Sequence, residues 1–173
     1  MKRFFIQAAF LFIGLLLGTS CEDEIDTAQP GSKWNTTYVT MHPKDYLSPL
    51  KAVSLSHSKK EGIKSNFEFQ FIIKTSKPTM YDVTAEVEIE HDLPMSIEKM
   101  VLSDRYLTVK TGETQSEPVS LNISDWSELE TIQDKQEYNL VLKVKNLVSD
   151  EKDIAQGEYN RDIKLSIVKM ASH

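Results

Sequence analysis

Residues 81–90 read Tyr-Asp-Val-Thr-Ala-Glu-Val-Glu-Ile-Glu, so Tyr81, Val83, Ala85, Val87 and Ile89 alternate with Asp82, Thr84, Glu86, Glu88 and Glu90 without a break. Successive side chains of a strand point to opposite faces, and this spacing predicts a strand with one dry and one wet face. Wound as a helix, the segment would gather Tyr81, Thr84, Ala85 and Glu88 on one mixed stripe unsuited to a core. Phe67, Phe69, Phe71 and Ile73 alternate against Glu68, Gln70 and Lys74, with Ile72 the exception. Ser76-Lys77-Pro78-Thr79 separates the two runs and makes them consecutive strands.

Shorter apolar segments continue the pattern. Thr36 to Met41 and Ala52 to Ser56 precede the long strands. Leu107 to Val109 and Val119 to Ile123 flank a turn at Thr111-Gly112-Glu113. Tyr138, Leu140, Leu142 and Val144 share one face, and Ile163, Leu165 and Ile167 another. No segment predicts a long helix. Ser127 to Gln133 suits a short helical turn, and Asn146 to Gln156 reads as a polar loop. Closely spaced strands with turn residues between them predict an all-β fold, an Ig-like antiparallel β-sandwich of about seven strands. The acidic face of 81–90 is expected to meet Lys64 or Lys74 on a neighbouring strand.

The N-terminus breaks the pattern. Met1-Lys2-Arg3 is basic, Phe4 to Leu17 is almost wholly apolar, and Gly18-Thr19-Ser20 are small. That sequence of regions describes an export signal peptide. Leu17-Gly18-Thr19-Ser20-Cys21 resembles a bacterial lipobox, which implies that Cys21 carries the lipid and becomes the first mature residue. The run Ser20-Cys21-Glu22-Asp23-Glu24 resembles the acidic export signal of surface lipoproteins in polysaccharide-utilisation systems, which implies the outer membrane and an outward-facing position; the alternative is a solvated charge run on a periplasmic lipoprotein. Asp26-Thr27-Ala28 resembles an O-glycosylation site of exported proteins in the same bacteria. Pro30-Gly31-Ser32 punctuates a linker. The expected organisation is therefore a signal peptide over 1–20, an acidic tether over 21–33 and a β-sandwich over 34–173. Extended, the stretch from Cys21 to Trp34 spans roughly 40 Å.

Composition narrows the function classes. The 173 residues carry 26 acidic against 20 basic side chains, a net charge of −6. A nucleic-acid binder needs a basic field to neutralise phosphates, so nucleic acid is not an expected partner. One cysteine excludes a disulfide framework and a Cys-rich zinc site. His42, His57, His91 and His173 form no His-x-x-x-His or His-Glu-x-x-His pattern, and no metal or cofactor is expected. Glu86, Glu88 and Glu90 line one face but lack the Asp/Asn–Gly alternation of a calcium loop. No Gly-x-Ser-x-Gly is present, and the reading is non-enzymatic.

Leu107-Thr-Val-Lys-Thr-Gly-Glu, Val119-Ser-Leu-Asn-Ile-Ser-Asp and Tyr138-Asn-Leu-Val-Leu-Lys-Val resemble a family of lipoprotein β-sandwich domains of unknown function. That family occurs in surface lipoproteins of polysaccharide-utilisation systems, sometimes ahead of an endo-glycosidase or discoidin-like domain. One departure is Val141 after Leu140, where the family often has proline. The resemblance implies fold and location more than activity.

Aromatic rings stack on the C–H faces of sugars, which makes Trp126, Trp34 and Tyr106 candidate carbohydrate-binding residues, with Tyr138 a weaker one. Trp126 sits in Ser124-Asp125-Trp126-Ser127, whose polar neighbours suit hydroxyl groups; its competing role is a plug at one end of the core. The expected function is a glycan-binding accessory of a polysaccharide-utilisation system, held to the membrane by its lipid. The alternative is a structural or protein-interaction subunit that meets an envelope protein through an exposed strand edge. Cys21→Ala should release the protein from the membrane fraction, which fractionation and immunoblotting would read directly.

Overall fold

The alternating segments become strands. The computed structural model describes residues 35–45 and 52–173, so the signal peptide and tether expected over 1–33 lie outside the described residues. Thr36–His173 form one compact unit. Its strands are β1 (Thr37–Pro43), β2 (Ala52–Leu55), β3 (Phe67–Thr75), β4 (Val83–His91), β5 (Val101–Leu102), β6 (Tyr106–Val109), β7 (Val119–Ile123), β8 (Gln136–Val148), β9 (Ile154–Gln156) and β10 (Asp162–Lys169). They form two five-stranded sheets ordered β5-β7-β3-β1-β9 and β2-β10-β8-β4-β6. The fold is all-β, an Ig-like sandwich.

Several details differ from the sequence reading. Among the described residues there are ten strands rather than about seven, because β5 and β9 span only two and three residues and show no alternation to read. The sandwich is not antiparallel throughout: β9 joins β1 in parallel, and β2 joins β10 in parallel. The expected loop from Asn146 shrinks, since β8 runs on to Val148 and β9 begins at Ile154. Leu107 to Val109 and Val119 to Ile123, the segments flanking the turn at Gly112, fall in different sheets, so that turn joins the two layers. The carboxylates of β4 meet β8 instead of Lys64 or Lys74: Lys145 contacts Glu86 at 3.2 Å, and Lys143 pairs with Glu90. Lys64 binds Glu61, and Lys74 belongs to β3 in the opposite sheet.

The inner faces make one core. Phe67, Phe69 and Phe71 are buried and stack in sequence, with ring centroids 6.5 and 6.3 Å apart. Across the sandwich they share the cluster with Val83, Ala85 and Val87 of β4 and Leu140 and Leu142 of β8. Each large apolar side chain so buried contributes about 1.5–3 kcal/mol.

Loops close the ends. Trp126 is 1% exposed, and its indole N–H donates to the Ser65 carbonyl at 2.8 Å. Of the two roles weighed for it, this is the geometry of the plug: no ring face is open to a sugar. Next to it, the Glu130 carboxylate accepts from the Ile63 N–H at 2.9 Å. Gly62 stands at φ +73°, a left-handed conformation that favours glycine, and a side chain there would displace the Glu130 carboxylate that approaches it. Lys169 is fully buried at the end of β10, and its ammonium donates to the carbonyls of Ile132 and Asp134. Trp126→Ala should cost about 3–5 kcal/mol, measured as a shift in the urea unfolding midpoint.

Candidate functional site

β4 is the strand on which the surface chemistry converges. Its inner residues are held by the core, so its outer residues present a fixed row. Glu86 stands opposite Tyr106 of β6, and Thr84 stands opposite Thr108, their hydroxyls sharing a hydrogen bond of 2.9 Å. Tyr106 is 57% exposed. The tight turn before it is set by Asp104, whose Oδ1 accepts from the Tyr106 N–H at 2.9 Å. Tyr106, the Thr84–Thr108 pair and the Glu86–Lys145 pair therefore share the outer face of the second sheet. Lys143 has its pKa raised, chiefly by its hydrogen bond to Glu90, and stays charged.

A groove of about 440 Å³ opens beside this face. It forms because β6 accompanies β4 only from Val83 to Glu86. The Val87 N–H still reaches the Arg105 carbonyl at 2.9 Å, and there the chain turns away to the other sheet. Val87, Ile89, Met100 and Leu102 give the groove apolar lining, with Ile97 and Val101 half-exposed at its wall. Glu86, Glu88, Glu98, Arg105 and Lys145 add charge.

The wall is clamped. Ile97–Lys99 form a short 3-10 turn that lends Ile97 and Glu98 to the groove. Lys99 Nζ contacts Asp125 Oδ2 at 2.8 Å, Glu128 Oε1 at 2.9 Å and Ser127 Oγ at 3.0 Å. The other oxygen of Glu128 accepts from the Ser96 N–H at 3.0 Å. One ammonium thereby ties the groove wall to the loop that carries Trp126.

The sequence-predicted residues that the structure describes are not gathered in one place. Tyr106 is exposed on the outer face at the start of β6, next to the groove-lining Arg105, Trp126 is in the core, and Tyr138 is half-buried on β8 against that core. Cys21 and Trp34 lie outside the described residues. Among the described residues, no group of three or more His, Cys, Asp or Glu side chains is placed to hold a metal ion. The groove itself was missed, since its far wall comes from the 3-10 turn and β5, which carry no periodic signal.

The body is thus an Ig-like β-sandwich whose second sheet carries a polar outer face with an exposed tyrosine and a groove at one edge. A family model described as a domain of unknown function, DUF4999, matches residues 1–77. No curated protein matches the chain. Among solved structures, the chain is similar to a two-domain protein of unknown function from Bacteroides fragilis, with TM-score 0.57 and 17% identity over 87% of this chain and 51% of that one. It thus spans about half the length of that protein. A candidate carbohydrate-binding protein from Bacteroides ovatus aligns with TM-score 0.47 and 11% identity over 79% of this chain and 37% of that one. At such identities the likeness to the first is one of fold.

The clamp has a pH signature. Asp125 is held well below the usual carboxylate range, first by its bond to Lys99 and then by the Ser127 N–H and hydroxyl. A carboxylate with a depressed folded pKa adds stability above its unfolded value of about 3.9, and that stability is lost as pH falls further. The melting temperature should therefore drop below about pH 4, and drop less in Lys99→Met, in scanning calorimetry across that range.

Proposed function

We propose that this protein is a non-enzymatic, lipid-anchored accessory of the outer membrane that holds a glycan at the cell surface for a polysaccharide-utilisation system. The exposed Tyr106 ring carries this reading. It projects from a hydrogen-bonded strand beside two threonine hydroxyls and the Glu86–Lys145 pair. A sugar offers an apolar C–H face to such a ring and hydroxyls to the carboxylate, ammonium and hydroxyl groups around it. A site built on sheet rather than loop needs little ordering when the ligand arrives.

The N-terminal pattern supports the location. A basic, then apolar, then small-residue leader ends at Cys21, and the acidic run Glu22-Asp23-Glu24 follows. An acidic tether is repelled by anionic headgroups and favours a body held clear of the lipid. The strand-and-turn pattern shared with sandwich domains of polysaccharide-utilisation lipoproteins supports the biological setting.

The test is a glycan array probed with the full chain, followed by affinity electrophoresis on any polysaccharide that binds. Tyr106→Ala should abolish retention while changing stability by less than about 0.5 kcal/mol, as expected of an exposed side chain. Retention unchanged by Tyr106→Ala would remove this face from the binding site. An array without signal, together with a co-purifying envelope protein, would favour the protein-interaction role.

A further inference from the structure

The nine residues of β4 outrun the four of β6, and the excess is an unpaired sheet edge. β8 occupies one side of β4 as far as His91, opposite Leu140. On the other side, the last contact is from the Val87 N–H to the Arg105 carbonyl. In an antiparallel ladder, backbone groups turn alternately to the two neighbours. Asp92 N–H turns to β8, where it meets the Asn139 carbonyl at 3.2 Å. Ile89 shares the parity of Val87, so its N–H and C=O turn to the open side, where no described strand pairs with them.

We infer that this edge is a docking strip for an extended segment of a partner protein, one carrying a basic–apolar–basic triplet. The segment lies in the line of β6 and pairs with β4 over Glu88–Glu90. Cross-strand neighbours share a face. The central residue, opposite Ile89, therefore points inward to the groove, where Val87, Met100 and Leu102 form an apolar seat. The flanking residues, opposite Glu88 and Glu90, point outward to carboxylates.

Charge selects the occupant. Lys143 is bonded to Glu90 and acts on Glu88 only through space, while on the groove wall neither Glu98 nor Arg105 has an ion pair among the described residues. A basic segment supplies cations to Glu88 and Glu98, whose combined charge outweighs that of Arg105 in the same groove. A second copy pairing through the same edge would set Glu88 and Glu90 against their own equivalents, and like charges directly opposite destabilise a sheet. The chain's own tether, with Glu22-Asp23-Glu24, carries the wrong sign.

The probe is a synthetic peptide of alternating lysine and valine, labelled for fluorescence anisotropy and titrated into the full chain. Three comparison peptides have the same composition in blocks, glutamate in place of lysine, or an N-methyl group on the central valine. The alternating peptide should bind, and each comparison should bind about tenfold more weakly or not at all, the loss expected for a pairing hydrogen bond or a charge-assisted contact. Glu88→Lys should reverse the preference toward the glutamate peptide. The N-methyl comparison leaves the protein untouched, so it tests edge pairing even if a variant misfolds. Equal binding of the N-methylated or block peptide, absence of binding, or a dimer blocked by the peptide in sedimentation would each overturn the proposal.

Discussion

β4 and β8 run side by side from the Thr84–Val148 pair to the His91–Leu140 pair, and the second sheet is built outward from that ladder. Its inner side carries Val83, Ala85 and Val87 against Leu140, Leu142 and Val144, all buried. Its outer side carries Glu86, Glu88 and Glu90 against Lys143 and Lys145. A slip of one residue would turn the three carboxylates of β4 into the core. Unpaired charge costs several kcal/mol there, so one register is selected strongly. The bulge between Glu86 and Val87 is compatible with this selection. It gives β8 one extra residue, Lys145, and that residue binds Glu86 on the outer face.

The same one-sided burial explains what was legible in the chain. β3, β4 and β10 each have one dry face, and their alternation is visible in the residues alone. β5 and β9 owe their existence to neighbours: Val101 and Leu102 pair with Asn122 and Leu121, and Ile154 to Gln156 run along Thr37 to Val39. Two or three residues hold no period, so no reading of local pattern finds them. The extension of β8 past Val144 failed for a different reason. Lys145, the extra residue of the bulge, and Asn146 beside it are both exposed, which interrupts alternation where the strand continues.

Aromatic identity alone does not separate a buried ring from an exposed one without topology. Trp126 and Tyr106 both stand among polar neighbours in sequence. Trp126 precedes the 3-10 turn Ser127–Leu129, whose Leu129 is fully buried, and both side chains seal the core. Tyr106 begins an edge strand whose next residue, Leu107, takes the inward position. Alternation therefore sends the tyrosine ring out to solvent. The inward anchor at Leu107 makes Tyr106 an outward-facing residue by geometry rather than by polarity.

Edges determine the rest. Of the four strands that border the two sheets, β2 and β9 are held in parallel by longer strands, while β5 and β6 are short and joined by the crossover at Ser103 to Arg105. Short edge strands limit association through open backbone groups. They also leave the far half of β4 uncovered, since four residues cannot shield nine. Glu88 and Glu90 stand on that uncovered half. Outward charge at an edge repels a like edge and accepts an unlike one, so the proposed docking of a basic strand and its preference over a second copy rest on the same two carboxylates. Glu86 belongs both to the face around Tyr106 and to the groove, which couples the two surfaces through a single side chain and its partner Lys145.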